Sequence, residues 1–416
     1  MIVKELCINE TIVKEITGGI TAPKGFSATG AHIGLKKKKK DLAIIKSELP
    51  ATASGVFTTN LVKAAPVIWN QQVVNNKIKG IVVNSGNANA CTGELGFRHT
   101  EIMAQTLAEC INASKEEIIV SSTGVIGVHL PIDKIVEGIK TTITSLETTR
   151  EAAKRAAEGI ITTDTYTKEI SVEVEIDGKT ITIAGMAKGS GMIHPNMATM
   201  LSFVTTDADI SKEMLDKVLK DSVEDTYNMI SVDGDTSTND MVIVLANGIA
   251  KNTSITEENE NYFRFKTALD YVNRYLAKQI INDGEGVTKV LEVVVKGAST
   301  KEDARKIAKS IICSNLVKTA FFGEDANWGR ILCAAGYSGA KFNPEKTSIS
   351  FSSLGGEILL FTNGEPIKFD EDKALQILKE RKIQIIISLQ DGNEQATSWG
   401  CDLSYEYVKI NGEYRT

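Results

Sequence analysis

Residues 187–203 read AKGSGMIHPNMATMLSF, and within them the pair Ala198-Thr199 has the residue types of a bond that could cleave itself. Gly189 and Gly191 permit backbone conformations closed to other residues, Pro195 fixes its own φ, and the run then delivers a small residue followed by a hydroxyl nucleophile. Attack of the Thr199 Oγ on the Ala198 carbonyl would convert an amide into an ester. Water would then hydrolyse the ester and leave Thr199 as a new N-terminus, where its α-amine sits as a general base beside its own hydroxyl. The same letters also fit a buried strand, MATML, followed by an alternating SFVTT, and no spacing rule alone ties Ala-Thr to cleavage.

A tetrahedral intermediate needs donors for its negative oxygen. The run SSTGVIG at 121–127 reads as a loop in which Thr123 offers a hydroxyl and Gly124 lets a backbone N–H approach closely, although a plain turn fits the same residues. Lys188, in the same glycine-rich segment as Thr199, would stabilise developing negative charge or hold a substrate carboxylate; its alternative is a surface lysine. Glu285, between two glycines in INDGEGVTKV, reads as an exposed acid able to pair with a substrate ammonium or with the α-amine of Thr199, or as a solvated turn. The ending YVKINGEYRT would ordinarily be a fraying tail. SVDGDTSTND at 231–240 has spaced acids but lacks the terminal Glu of an EF-hand, and the six cysteines show no CxxC and no zinc spacing, so no metal is expected.

The elements that must position these residues alternate between strands and helices. LAIIKSELPATASGVFTT suggests strands joined by tight loops, and Ile81–Val83 a buried strand running into the loop NSGNANACTG. A helix spans RHTEIMAQTLAECIN, and a longer helical stretch, 132–160, breaks near its middle. SVEVEIDGKTITIAGMAKG is a hairpin turning at Asp177-Gly178. Further helices are expected at KEMLDKVLKDSVEDTYNMI, YFRFKTALDYVNRYLAKQII and EDARKIAKSI, and strands at MVIVLANG, KVLEVVVKG and KIQIIISL. With 416 residues the chain has room for two or three folding units, and 42% hydrophobic with 24% charged residues is an ordinary globular composition. A net charge of −6 gives no basic field for nucleic acid or an anionic membrane. The one dense basic run, Lys36–Lys40, reads as a solvated turn, with anion or nucleic-acid binding as the alternative. The N-terminus lacks a signal-peptide core and no run of about eighteen apolar residues occurs, so a cytoplasmic protein is expected. Walker A, HExxH and strand-GxGxxG-helix patterns are all missing.

The whole run 187–203 resembles the maturation signature of the glutamate N-acetyltransferase / ornithine acetyltransferase (ArgJ) family of arginine biosynthesis, in which cleavage falls between the matching Ala and Thr. NSGNANACTG at 84–93, SVDGDTSTND at 231–240 and GEDANWGRILCAAGYSG at 323–339 are similar to family blocks too, so the resemblance spans most of the chain. It implies an α/β fold of layered mixed sheets and helices, of the ornithine acetyltransferase and self-cleaving aminopeptidase type and not Rossmann. It also implies an α chain of residues 1–198 and a β chain of 199–416 headed by the nucleophile Thr199, assembled as α2β2. Thr123 and Gly124 would form the oxyanion hole, and Thr162, Lys188, Thr199, Glu285, Asn411 and Thr416 would contact substrate. The family commonly has Ala after the matching Asn; Gly412 stands here and leaves the rigidity of the tail open. The implied reaction is ping-pong transfer of acetyl from N2-acetyl-L-ornithine to L-glutamate through acetyl-Thr199, without a cofactor. Acetyl-CoA as a second donor, an aminopeptidase-type hydrolase, and a noncatalytic binding protein with an uncleaved chain are the competing readings.

Overall fold

A computed structural model describes residues 12–194 and 200–413; Ala198, Thr199 and Thr416 lie outside the described residues. In chain order the first elements are β1 (Lys14–Glu15), β2 (Phe26–Ala31), β3 (Leu42–Phe57), α1 (Ala65–Val73), β4 (Lys77–Asn87), α2 (Gly93–Ile111) and β5 (Ile118–Val125). There follow α3 (Ile132–Thr142), α4 (Arg150–Ile160), β6 (Lys168–Ile176), β7 (Lys179–Lys188), β8 (Leu201–Thr206), α5 (Lys212–Asp225), β9 (Ile230–Ser231), β10 (Met241–Ala246) and α6 (Glu260–Asn282). The remainder is β11 (Val290–Ala298), α7 (Lys301–Cys313), α8 (Asn315–Phe322), α9 (Trp328–Gly336), β12 (Ser348–Ser353), β13 (Gly356–Thr362), β14 (Glu365–Pro366), α10 (Glu371–Lys379), β15 (Lys382–Ser388), β16 (Glu394–Cys401) and α11 (Tyr405–Gly412).

These elements form two units. Among the described residues the first takes 12–189, 200–227 and 236–277, so it draws on both sides of residue 198. Among the described residues its sheet runs β1-β6-β7-β8-β10-β3-β4-β5, with β2 added on β3. The β8/β10 and β4/β5 pairs are parallel and the rest antiparallel, a mixed sheet and not a doubly wound one. The second unit takes 190–195, 228–235 and 278 onward, and its sheet runs β14-β13-β12-β15-β11-β16-β9. There α7 packs on β16, where the Ser398 hydroxyl donates to the Ala308 carbonyl and Ile312 lies against Gly400.

Local signals explain most of the elements. Asp177 and Gly178 take φ of 49° and 68°, the left-handed pair that a tight hairpin turn demands, and they join β6 to β7. The long helical stretch breaks between α3 and α4, where the Thr149 side chain caps α4 by accepting the Ala152 N–H. Two expectations need correction. Ser121–Val125 is not a loop but the end of β5, because β4 continues through Asn87 beside it. The SFVTT alternation also fails, since all six residues of β8 are buried. Leu201 and Phe203 belong to the core cluster that holds Val67, Met103 and Ala153, while Val204 lies beside Gly185 with Val272 and Leu276 of α6. A strand covered on both faces has no polar side to alternate with. The described cysteines are free thiols.

Phe203→Ala should therefore remove a fully buried ring at the sheet centre and cost about 3–5 kcal/mol in urea denaturation. A loss under about 1 kcal/mol would contradict two-sided burial of β8.

Candidate active site

In the first unit the site is organised by a residue pair that sequence reasoning missed. Asp164 and Lys168 are both fully buried, and the Lys168 ammonium donates to Asp164 Oδ1 at 2.6 Å. The same carboxylate accepts the Gly189 N–H at 2.7 Å and the Thr162 N–H at 3.0 Å. One buried acid thus brings together Thr162 and the end of β7, where Lys188 stands. Burial by itself would raise the Asp164 pKa, but Lys168, Lys188 and the Gly189 N–H outweigh it and hold the carboxyl below its ordinary range. Lys188 is half-buried, and its ammonium makes no hydrogen bond among the described residues. It lies in the fields of Asp164 and of the buried Asp240, whose pKa burial pushes well up and Lys188 draws back. An unengaged cation between partly neutralised acids suits an incoming anion.

Thr123 is buried in β5 opposite Ser85, and Gly124 faces Gly86 where the register slips. Gly124 takes φ +133°, and a Cβ on it would collide with the Gly86 carbonyl, so only glycine lets the strands close here. Asn239 ties this corner to β8. Its amide donates to the Ser122 carbonyl at 2.8 Å and to that of Ala88, and two residues later the Met241 N–H donates to the Met200 carbonyl at 2.9 Å. Met200 directly follows Thr199, so the segment 239–241 makes hydrogen bonds both beside Thr123 and beside Thr199. Lys188 is paired with Leu201. The Lys36–Lys40 run also departs from expectation: Lys36 is half-buried and donates to the Ile161 carbonyl, exposed Lys39 donates to the Asp164 carbonyl, and Lys40 pairs with Glu158.

In the second unit Glu285 is buried at 8% exposure, not the exposed acid expected from its glycine flanks. Its N–H donates to the Ser190 carbonyl, and Asn411 Nδ2 donates to its Oε2 at 2.8 Å, so two residues implied by resemblance touch directly. Gly191 earns its place by space rather than by φ, because a Cβ there would overlap the Glu285 carboxylate. The turn that follows rests on Met192, at φ 55°, and on Asp233, whose carboxylate accepts the N–H groups of Met192 at 2.7 Å and Ile193 at 2.9 Å. Tyr407 donates to the same carboxylate, and Tyr407 and Asn411 both belong to α11, so the tail through Gly412 is helical instead of frayed. A Cβ at Gly412 would meet no neighbour among the described residues, so an alanine would fit there. Asp164 and Asp233 left only weak signals in the sequence, as acids in small-residue turns. Among the described residues no His, Cys, Asp or Glu cluster could hold a metal, and no helix is long and apolar enough to cross a membrane.

Two outcomes follow from the buried acids. With its folded pKa depressed, Asp164 contributes stability above about pH 4 that is lost as pH falls through the folded value. Asp164→Asn should cost about 3–5 kcal/mol near pH 7, by removing the carboxylate charge that faces buried Lys168, and should flatten the acid limb of a stability–pH curve. An unchanged acid limb would contradict the pairing. Gly191→Ala should cost about 1–3 kcal/mol by overpacking, and combining it with Glu285→Ala should remove most of that cost. Strict additivity in a denaturation cycle would place the two residues apart.

The ArgJ family model matches residues 27–416. Arginine biosynthesis bifunctional protein ArgJ of Thermotoga neapolitana is 54% identical over 397 residues, covering 95% of this chain and 99% of the relative. The protein of the same name from Caldanaerobacter subterraneus subsp. tengcongensis is also 54% identical, over 96% of this chain and 99% of its own. A crystal structure of arginine biosynthesis bifunctional protein argJ from Bacillus halodurans is 47% identical over 51% of this chain and 98% of its own, with a TM-score of 0.49. Matched from Ser27 to the last residue, the chain belongs to the ArgJ family.

Proposed function

We propose that the chain is an ornithine acetyltransferase of arginine biosynthesis that cleaves itself between Ala198 and Thr199 into an α chain, 1–198, and a β chain, 199–416. The observation that carries the reading is the match over nearly its whole length to relatives named for arginine biosynthesis. The Asp164 carboxylate, which accepts the Thr162 N–H and the Gly189 N–H beside Lys188, supports it.

In this reading the Thr199 Oγ attacks the acetyl carbonyl of N2-acetyl-L-ornithine while its α-amine takes the hydroxyl proton. Thr123 and Gly124 hold the oxyanion, the C–N bond breaks, and the proton goes to the departing ornithine nitrogen. The amine of L-glutamate then attacks the acetyl ester, N-acetylglutamate leaves, and Oγ regains its proton. The acetyl ester stores the group between substrates, so no cofactor is needed, but the pocket must exclude water. Lys188, Thr162, Glu285, Asn411 and Thr416 serve as substrate contacts, and the charges of Lys188 and Glu285 match amino-acid ligands. The word "bifunctional" in the relatives' names favours a second reading in which acetyl-CoA also donates acetyl. An α2β2 assembly in the cytoplasm completes the proposal.

Intact-mass analysis of wild type beside Thr199→Ala tests it. Wild type should split into fragments of 198 and 218 residues while the variant stays whole, and wild type should release N-acetylglutamate in step with ornithine. Two intact chains would sink the nucleophile assignment. Acetate in place of N-acetylglutamate would make the protein a hydrolase.

A further inference from the structure

Lys36 stands apart from the rest of the basic run. Buried Asp41 accepts the N–H groups of Ile33 at 2.6 Å, Leu35 at 2.7 Å and Lys36 at 2.9 Å, which fixes the backbone from which Lys36 projects. The Lys36 stem then crosses the glycine corner of the oxyanion strands: a Cβ on Gly86 would lie 3.1 Å from Lys36 Cγ, and Gly86 is the partner of Gly124. At its far end the ammonium donates to the Ile161 carbonyl at 2.9 Å, one residue before Thr162. That is its one hydrogen bond among the described residues, so two of its three N–H groups remain for a ligand.

Its electrical surroundings are those of a second cation in the Lys188 site. Burial pulls the Lys36 pKa down to about 8; Asp41 and Asp164 oppose the shift, while Lys39 and Lys188 add to it. Two partly desolvated ammonium groups that repel each other favour a bound anion more than either would alone. A tether to a single carbonyl would need no charge. L-Glutamate carries two carboxylates, whereas ornithine carries one and an extra ammonium.

Resting on the acetyl-transfer reading, we infer that Lys36 is a specificity-determining residue for the acyl acceptor: its ammonium binds one carboxylate of the dicarboxylic amino acid while Lys188 binds the other. The test is steady-state kinetics of Lys36→Met and Lys36→Arg with glutamate, glutamine and N2-acetylornithine varied in turn. Lys36→Met should raise the KM for glutamate at least about tenfold, leave the KM for acetylornithine within about threefold and lose the preference for glutamate over glutamine; Lys36→Arg should keep that preference. Equal changes for donor and acceptor, or none, would overturn the assignment. Should Lys36→Met fail to fold, trace labelling of wild-type lysines with acetic anhydride decides the matter. Glutamate and unreactive glutarate should protect Lys36 and ornithine should not, and equal labelling in all three would overturn it. Wild type that transfers no acetyl would sink the transfer reading instead, leaving the glutarate protection to judge Lys36 on its own.

Discussion

Lys188 and Leu201 face each other across the antiparallel pair of β7 and β8, and this pairing fixes both ends of the segment that contains Ala198-Thr199. β8 is bonded to β7 on one edge and to β10 on the other, and all of its side chains are buried. Such a strand has no freedom to slide, because a one-residue slip would turn every side chain to the wrong face. Met200, directly after Thr199, is held beside this strand by the Met241 N–H on its carbonyl. The described strand residues on either side of Ala198-Thr199, Lys188 and Leu201, thus belong to neighbouring strands of one sheet.

Two carboxylates hold the glycine-rich run, one in each unit. Asp164 takes the Gly189 N–H in the first unit, and Asp233 takes those of Met192 and Ile193 in the second. Charged acceptors on backbone donors are stronger than neutral ones and keep a turn in place without bulky side chains. Gly191 then leaves room for Glu285, and Glu285 in turn receives Asn411 from α11. Within the second unit these contacts fix where the polar groups of Glu285 and Asn411 stand.

Much of the fold was legible because its signals are local. Asp177-Gly178 names its own turn, and the apolar spacing of α2, α5, α6 and α7 marks helices whatever they pack against. The end of β5 was not legible, since Ser, Thr and Gly read as a loop until β4 runs beside them. Burial of Glu285 was hidden for a similar reason: its glycine neighbours suggest exposure, while its cover comes from Gly191 and Asn411, far away in sequence. Asp164 and Lys168 look like ordinary charges four residues apart and become a site hub only when the turn at Gly189 folds onto them. Residue types suggested which residues to examine, but which acids stand around them depended on contacts between distant segments.

The most direct test of the account is to trap the transferred group. The purified protein is incubated with N2-acetyl-L-ornithine and no glutamate, quenched in acid, digested and analysed by peptide mass. The account predicts one acetyl group on the peptide that begins at Thr199, formed with release of ornithine and discharged when L-glutamate is added before the quench. Acetyl on another residue, or transfer without any acetylated intermediate, would contradict it.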